Sequence, residues 1–452
     1  MAGKQQAYSE YKESGVGWMG EVPKEWSVLP CRAVVKNIAD KNEGAKDQNY
    51  LSLMANIGVI RYEDKGDIGN KKPDDLSKCK IVRKGNLVIN SMNYAIGSYG
   101  MSGYDGVCSP VYIVLDANSE VIEQRFALRV FENRPFQKYL ATFGNGILEH
   151  RAAIGWDDIK GAYIPLPTKG EQVAILNYLD HETAKIDTLI DKQQQLITLL
   201  KEKRQAVISH AVTKGLNPNA PMRDSGVEWL GEVPEHWADS EIRYIIRQMG
   251  GGTPSKERPD YWNGSIPWVS PKDMKIDYID DAQDKITSQA VQESSTKLIP
   301  VGSVLIVVRG MILVHSVPVA LTQSEVTINQ DMKALIPIKG IDGEFLLFFI
   351  KGLRDFILDL VEESAHGTKC LRSEAFERMK IATPELEEQI EIVAQLKKRI
   401  GIVDSLIEKA KYGIELLSER RTALISAAVT GKIDVRNWQS PAPTNNNKEV
   451  AA

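Results

Sequence analysis

The chain has 452 residues, of which 43% are hydrophobic and 26% charged, and its formal net charge is −4 at pH 7. This length predicts roughly two to four domains, and ordinary glycine and proline contents exclude a collagen-like or wholly disordered chain. No apolar run reaches the roughly 18 residues of a membrane span, the N-terminus lacks the apolar region of a secretory signal, and the four cysteines form no CxxC pair. We therefore expect a cytoplasmic multidomain protein without a disulfide framework or zinc site.

The charge balance narrows the possible modes of DNA binding. With 56 Lys+Arg against 60 Asp+Glu, the chain lacks the overall positive field of a self-sufficient nucleic-acid binder. If the chain binds DNA, its basic residues must be concentrated on one face, or a partner must supply phosphate contacts.

A duplicated motif opens each half of the chain. Residues 14–26 read SGVGWMGEVPKEW and return without a gap as SGVEWLGEVPEHW at 225–237. The shared tryptophans, Trp18 with Trp26 and Trp229 with Trp237, belong to this repeat, whereas the segments between the repeats differ. We therefore favour a structural role for them over stacking on nucleic-acid bases.

The first intervening segment, 27–166, mixes short β-rich runs with turns and helical stretches. Side-chain amides that follow the run Leu87–Asn90 are suited to adenine edges, and the densest basic stretch of the segment precedes that run. Plain turns and a solvated charged face are the alternatives for these two features. The candidate DNA contacts of this segment are Lys71, Lys72, Asn90, Ser91, Asn93, Tyr94, Asn145 and Arg151.

Two long helices are predicted by a second repeat. Residues 171–213 match 388–430 without a gap, and neither copy contains proline. Both helices carry an apolar stripe with heptad spacing. Its a positions include Leu179, Ile186, Leu200, Leu396, Val403 and Leu417. Its d positions include Leu189, Leu196 and Leu406, and its e positions include Ile190, Ile197, Ile407 and Ile414. We expect the helices to pair with each other as an antiparallel coiled coil. The alternative is that each helix packs separately onto its neighbouring domain.

The second segment, 238–383, offers three candidate contact regions. A glycine-rich loop carries Thr253, Ser255 and Lys256, and we expect this loop to be flexible, with a simple surface turn as the alternative. Arg309 and Gly310 follow the run Val304–Val308, where DNA contact competes with a structural ion pair. Thr368 and Lys369 lie in a loop for which we favour phosphate contact.

The order is thus motif, domain and helix, twice over. We predict an α/β (α+β) fold with pseudo-twofold symmetry, in which two globular domains are joined by two long antiparallel helices. The predicted division is a first domain at 1–166, a helix region at 167–214, a linker and second domain at 215–383, a second helix region at 384–431 and a disordered tail at 432–452.

The combination of motifs closely resembles the specificity (S) subunit of type I restriction–modification enzymes. The resemblance rests on residues 164–237, which contain IPLPTKGEQ and LLKEKRQAVISHAVTKGL, on GGTPSKERPDYWNGSIPWVSPKDMK at 251–275, and on INQDMKALIP at 328–337. It covers nearly the whole chain apart from the tail.

The resemblance implies a subunit without chemistry of its own. Its two target recognition domains would each read half of a split, asymmetric DNA site. Its helices would dock two methyltransferase (M) subunits, with restriction (R) subunits joining for cleavage. The candidate subunit-binding residues of the helices are Leu179, Ile186, Leu200, Leu396, Val403 and Leu417. S-adenosylmethionine, ATP and Mg would be used by those partners. No G-x-x-x-x-G-K-[ST] loop or Asn/Asp-Pro-Pro-aromatic motif is present, in agreement with this division of labour. A bivalent protein-interaction scaffold without DNA readout is the alternative.

Overall fold

A computed structural model of the chain describes residues 6–69, 71–143, 153–338, 340–364 and 367–440. The chain divides into two compact units, the first formed by Met1–Gln193 and Tyr412–Ala452 and the second by Gln194–Lys411. Each unit combines one globular domain with part of both long helices. The first unit is formed by two segments that are separate in the sequence. The reason is that the helices run antiparallel, so that the start of one lies beside the end of the other.

The first half of the chain forms twelve described strands and five described helices. Strands β1–β12 are Tyr11–Glu13, Glu21–Pro23, Ser27–Pro30, Val35–Ile38, Leu51–Met54, Gly58–Arg61, Lys80–Val82, Leu87–Asn90, Tyr99–Met101, Gly106–Cys108, Tyr112–Ala117 and Tyr163–Leu166. Helices α1–α5 are Cys31–Val34, Gln124–Glu132, Arg134–Ala141, Trp156–Lys160 and Lys169–Lys214. Short 3-10 turns lie at Glu43–Ala45, Tyr62–Lys65 and Tyr94–Ile96.

The second half forms fourteen described strands and six described helices. Strands β13–β26 are Met222–Asp224, Glu232–Pro234, Ala238–Glu241, Ile246–Gly250, Trp262–Val269, Tyr278–Ile279, Asp284–Ile286, Val304–Val307, Val319–Thr322, Thr327–Ile328, Met332–Pro337, Val361–Glu363, Lys369–Leu371 and Lys380–Thr383. Helices α6–α11 are Ile242–Ile245, Ser288–Glu293, Gly343–Gly352, Arg354–Asp359, Ser373–Glu377 and Leu386–Val429. Two 3-10 turns lie at Pro259–Tyr261 and Met311–Val314.

The two domains share one central sheet topology. In the first domain the strand order is β4-β11-β8-β9, and in the second it is β16-β23-β20-β21-β18. All of these pairs are antiparallel except β18 with β21. The central strands β8 and β20 are buried at every residue, which explains why each reads as an almost unbroken apolar run.

Alternation along β8 distributes its side chains between two cores. Leu87 and Ile89 join the large core of the first unit, while Val88 points to a smaller cluster with Leu51 and Leu53. This division follows from the period of two in a strand. The strand is therefore buried on both faces although its sheet is antiparallel.

Two matching glutamines join each domain to its long helix. Gln172 in α5 donates from Nε2 to the carbonyls of Pro167 (3.0 Å) and Val121 (3.2 Å), and its Oε1 accepts from the Glu123 amide (2.7 Å). Gln389 in α11 does the same with Pro384 O (2.9 Å), Gly340 O (3.0 Å) and the Asp342 amide (2.9 Å). Both glutamines are fully buried. Each one satisfies backbone groups at the start of a domain helix that water cannot reach.

The duplicated tryptophans have structural roles in the described contacts. Trp26 donates its indole N–H to Glu171 Oε1 and Trp237 donates to Glu388 Oε1, both at 3.2 Å. Trp18 packs against Phe136 with ring centroids 5.0 Å apart, and Trp229 stacks on Phe356 at 4.4 Å. The same pair of interactions therefore recurs in each unit, as the repeat predicted.

Each duplicated motif also packs against the end of a long helix. Gly431 follows α11 with φ +73°, and a Cβ there would lie 2.3 Å from Pro23 Cδ in the first unit. Gly215 follows α5 with φ +75° and faces Pro234 and Trp237 in the second unit. A left-handed glycine ends a helix at little steric cost. The domain that begins a repeat thus meets the end of the helix from the other repeat.

The helices pair antiparallel, as predicted. In the first unit Arg421 Nε lies 3.0 Å from Asp187 Oδ1, and in the second unit Arg204 Nε lies 2.9 Å from Asp404 Oδ1. From Asp187 to Arg204 α5 advances by 17 residues, and their partners on α11 move back by 17 residues, from Arg421 to Asp404.

The heptad prediction is correct for most a and e positions, although Leu417, Ile190 and Ile414 are only half-buried, and it is wrong for the d positions. Leu179, Ile186, Leu200, Leu396, Val403, Ile197 and Ile407 are buried, whereas Leu189, Leu196 and Leu406 are 47%, 43% and 45% exposed. The physical reason is that each helix faces both its partner helix and a globular domain. Leu179 and Ile186, for example, belong to the same core as Phe126 and Leu424. The two packing alternatives from the sequence are therefore combined in one arrangement.

Candidate nucleic-acid interface

Several candidate residues of the second domain converge beyond the end of β20. The Arg309 amide donates to Asp331 O (3.2 Å) and the Gly310 amide to Lys369 O (2.9 Å). Leu371, at the end of β25, donates its amide to Val308 O (2.9 Å). Residues sixty positions apart in the sequence, Arg309 and Lys369, are therefore held on adjoining backbone segments.

The glycine-rich loop joins the same region. Thr253 Oγ1 donates to Gln330 Oε1, one residue before Asp331. Our expectation of a flexible loop was wrong, because a Cβ at Gly251 would lie 1.9 Å from Asn329 O. Gly252 O accepts from Trp268 Nε1 (3.0 Å) and Thr296 Oγ1 (3.1 Å). The glycines are thus required by close packing, and they fix the loop that carries Ser255 and Lys256.

The cations of this region differ in availability. The Arg309 side chain is exposed, and it has no ion pair within the described part of the chain. Lys256 is exposed as well. Lys369 Nζ, by contrast, lies 2.8 Å from Glu363 Oε2, and this hydrogen bond lowers the pKa of the Glu363 carboxyl. Lys369 would have to exchange a carboxylate for a phosphate, whereas Arg309 and Lys256 would not.

A second polar network underlies the cluster and was missed from the sequence. Lys333 in β23 donates to Gln248 Oε1 (2.9 Å) and Ser373 Oγ (3.0 Å). Gln330 and Asp331 also belong to the cluster through the contacts described above. Lys333, Gln330 and Asp331 lie in the motif INQDMKALIP, which could have indicated them from the sequence, whereas Gln248 and Ser373 lie outside it.

The first domain places its candidates around the end of β8, at the same position in the sheet. Asn93 is exposed, and Ser91 donates from Oγ to Val111 O (3.2 Å). Two other candidates require correction. Asn90 is 8% exposed and its Oδ1 accepts from the Met92 amide, while Tyr94 is 4% exposed and donates to Phe131 O at 2.5 Å. Burial raises the pKa of the Tyr94 phenol well above its usual range.

Asn90 and Tyr94 are therefore assigned to turn formation and to the core. The sequence could not separate them from their exposed neighbours, because a tight turn does not keep the alternation of a strand. The remaining candidates of this domain are separate from the turn or outside the described residues. Lys71 is exposed and Lys72 Nζ donates to Gln48 O (3.3 Å), whereas Asn145 and Arg151 lie outside the described residues.

The helix residues proposed to bind partner subunits also require correction. Leu179, Ile186, Leu200, Leu396 and Val403 are buried and Leu417 is half-buried, so they stabilise the units themselves. Other apolar side chains of the helices are exposed. They are Val173, Leu189, Tyr412 and Leu416 in the first unit, and Leu196, Leu199, Leu386, Ile390, Ile402 and Leu406 in the second.

In the described ranges no group of three or more His, Cys, Asp or Glu side chains has an arrangement that could hold a metal ion. No helix there combines the length and the apolar character that crossing a membrane requires.

The second domain matches the model of a known family. Residues 234–416 match the family described as "Type I restriction modification DNA specificity domain". They contain the whole cluster around Arg309. The second domain is thus similar to the DNA specificity domain of type I restriction–modification systems, in agreement with the resemblance of the sequence motifs.

Curated relatives show further sequence similarity. The chain is 39% identical over 212 residues to the EcoR124I/EcoR124II specificity subunit of Escherichia coli, and 32% identical over 195 residues to the MjaIX specificity subunit of Methanocaldococcus jannaschii. These matches cover 46% and 42% of the chain and only 52% and 43% of the relatives. A putative MjaX specificity subunit of the same archaeon is 22% identical, with 92% of the chain and 96% of the relative covered.

Solved structures agree with the fold. A structure described as a study of complex assembly and conformational transition of the type I R-M system matches with a TM-score of 0.64, at 17% identity, over 91% of this chain and 99% of that one. The HsdS subunit from Thermoanaerobacter tengcongensis matches with a TM-score of 0.51, at 16% identity, over 91% and 98%. The chain therefore shares the fold of these solved structures, and parts of its sequence are similar to type I specificity subunits.

Proposed function

We propose that the chain is the non-catalytic DNA specificity subunit of a type I restriction–modification complex. It reads a bipartite, asymmetric DNA target and positions two methyltransferase (M) subunits for adenine methylation, with restriction (R) subunits joining for cleavage. The observation that carries the proposal is the duplicated architecture. Two domains of one topology carry different side chains at the same position, beyond the end of the central strand, which suits the reading of two different half-sites.

The side chains available at those positions have the chemistry of DNA recognition. Arg309 presents a planar guanidinium on an exposed residue, and guanidinium groups bind guanine edges or phosphates. Asn93 and Ser91 offer amide and hydroxyl groups in the first domain. With an overall charge of −4 the chain has few cations to spare, so we propose that the M subunits supply part of the phosphate contacts.

The exposed apolar side chains of the two helices are the proposed docking surface for the M subunits. Leu196, Ile402 and Leu406 are among those in the second unit, and Leu189 and Leu416 among those in the first. S-adenosylmethionine, ATP and Mg would be used by the partner subunits and not bound by this chain. We place the complex in the cytoplasm, where DNA and these cofactors are found together.

The test is co-expression with the cognate M subunit, followed by genome-wide mapping of methylated adenines. A single split motif, with two short defined blocks around a fixed gap, is the expected result. An active M subunit that copurifies with the chain and shows no sequence restriction would instead favour a protein-interaction scaffold. In a parallel binding assay, the logarithm of the specific association constant should fall linearly with the logarithm of salt concentration.

A further inference from the structure

The turn that follows the central strand of the second domain carries an exposed apolar cluster. Met311, Ile312 and Val314 in the 3-10 turn are 63%, 43% and 44% exposed. Between them, Leu313 is only 2% exposed and belongs to the core. One buried anchor thus holds three apolar side chains in contact with solvent, an arrangement that costs free energy unless something covers them.

The backbone holds this turn in one conformation. Gly310 has φ +133°, a conformation that side chains disfavour, and it lets the chain turn away from β20. The amides of Leu313 and His315 donate to Gly310 O and Ile312 O, both at 3.2 Å. The turn also packs against β25, which carries Lys369. Exposure of the apolar side chains is therefore a built feature of a fixed turn.

The first domain repeats the pattern with different residues. Its turn also follows the central strand and has one buried anchor, Tyr94, which is 4% exposed. Met92 and Ile96 on either side are 56% and 54% exposed. Single exposed apolar residues are ordinary on protein surfaces. Recurrence at the same position in two divergent domains points to a shared ligand.

The neighbouring side chains indicate the chemistry of that ligand. The exposed guanidinium of Arg309 lies two residues before Met311, and Thr368 and Lys369 lie on the adjoining segment. A ligand for this surface must present anionic or hydrogen-bonding groups beside an apolar group. Duplex DNA does so in its major groove, where the C5 methyl of thymine is the apolar group beside base edges and phosphates.

We propose that Met311 and Ile312 contact thymine methyl groups of the second half-site and thereby contribute to its specificity. This inference rests on the proposed function and adds the side chains that read part of the target. Burial of one methyl group corresponds to about a 4-fold change in affinity. The turn of the first domain would read its own half-site in the same way.

The experiment uses the full chain in complex with M subunits and a duplex that carries the mapped target. Thymines of the second half-site are replaced one at a time by deoxyuridine, which removes only the methyl group. The complex that contains the unaltered chain should bind the DNA about 4-fold more weakly when deoxyuridine replaces thymine at one or more of these positions. Met311→Ala or Ile312→Ala should bind the thymine duplex more weakly and should not distinguish uracil from thymine at those positions.

Matched controls separate this contact from other effects. Val301 is 58% exposed and precedes β20, whereas the turn follows it, so Val301→Ala should retain the full response to deoxyuridine. Deoxyuridine in the first half-site should change the DNA affinity of the unaltered chain, Met311→Ala, Ile312→Ala and Val301→Ala equally.

Three results would overturn the inference: a second half-site without thymine, equal binding of uracil and thymine duplexes by the unsubstituted complex, or loss of M-subunit binding in the turn variants. Each is distinct from failure of the proposed function, in which no sequence-restricted methylation is found.

Discussion

At the scale of single residues, buried polar groups decide how the globular domains attach to the helices. Gln172 and Gln389 occupy equivalent positions in the repeat and make three hydrogen bonds each to backbone groups. A glutamine is needed because the site has two acceptors and one donor, which an amide side chain matches. The conservation of this pattern within one chain is explained by that requirement.

Replacement of Gln389 should therefore destabilise the protein. Gln389→Ala leaves the Asp342 amide and two carbonyls without partners in a buried site, at a cost of about 2–4 kcal/mol. Gln389→Glu should also destabilise, because a carboxylate oxygen would face the carbonyls of Gly340 and Pro384. The unfolding midpoint in urea measures both effects. Gln395→Ala, on the exposed face of the same helix, should leave the midpoint unchanged, and an equal shift in all three variants would contradict the assignment.

Arg309 gives a second residue-scale prediction. Because its guanidinium is exposed and free of described ion pairs, Arg309→Ala should leave stability unchanged and weaken specific binding by about 1–3 kcal/mol if it contacts a base. If it contacts a phosphate, binding to all sequences should weaken and the salt dependence should decrease. Affinity measured across several salt concentrations distinguishes the two. Arg354→Ala is the control, since Arg354 pairs with Asp355 at 2.7 Å elsewhere in the domain. Normal DNA affinity of the Arg309→Ala variant would show that Arg309 is not part of the interface.

At the scale of elements, ion pairs and the a and e stripe hold the long helices in register. Arg421 on α11 lies 2.9 Å from Glu132 of α2 and 3.0 Å from Asp187 of α5. Arg129 also pairs with Glu132 at 2.6 Å. Three elements of the first unit therefore meet at one network, whereas the Arg204–Asp404 pair of the second unit joins two helices only.

Arg421→Met should consequently cost more stability than Arg204→Met. Glu132 is only 16% exposed, so removal of Arg421 leaves a partly desolvated carboxylate with a single partner. We expect a loss of about 1–2 kcal/mol for Arg421→Met and about 0–1 kcal/mol for Arg204→Met, because the Arg204–Asp404 pair is partly exposed and contains no carboxylate as buried as Glu132. Denaturant unfolding gives the comparison, with Arg420→Met on the solvent-facing side as control. A larger effect at Arg204 would show that the network is not the stabilising element.

The exposed apolar face of the helices gives the second element-scale prediction. Ile402 and Leu406 are 57% and 45% exposed and lie one turn apart on α11. Replacing both by serine should reduce binding of the M subunit by about 10-fold or more, as expected for apolar interface residues, without lowering the unfolding midpoint. Glu408→Ser, at an exposed position on another side of the same helix, should bind normally. Unchanged binding of the double variant would place the docking surface elsewhere.

At the scale of the whole molecule, duplication with divergence is the defining feature. The motif, the sheet order and the helix attachment are common to both halves, while the side chains beyond the central strands differ. The residues of the shared framework and the residues proposed for DNA recognition thus form separate sets, which allows one set to change without the other.

Under the proposed function, exchange of residues 27–166 for the equivalent domain of a type I specificity subunit should therefore change one half-site only. The second half-site should be retained because the cluster around Arg309 lies entirely in the second unit. Mapping of methylated adenines for the exchanged protein measures both blocks at once. The control is the reciprocal exchange of 238–383, which should change the other block, and a change in both blocks by either exchange would contradict modular reading.

The sequence by itself determined the repeats, the two domains, the two long helices and the family resemblance. These features depend on local sequence pattern, because proline-free heptads, the tryptophan motif and apolar runs can be recognised from residues that are close together in the sequence. The sequence also indicated the region around Arg309 through motifs that lie on either side of it.

Only the tertiary structure decided which side chains are available. It buried Tyr94 and Asn90, exposed the d positions Leu189 and Leu406, and showed that the glycine loop is packed and not flexible. The physical reason is that burial depends on what packs against a residue from distant parts of the chain. A helix that faces both a partner helix and a domain buries a different stripe from a helix that faces a partner alone, and no local pattern records that difference.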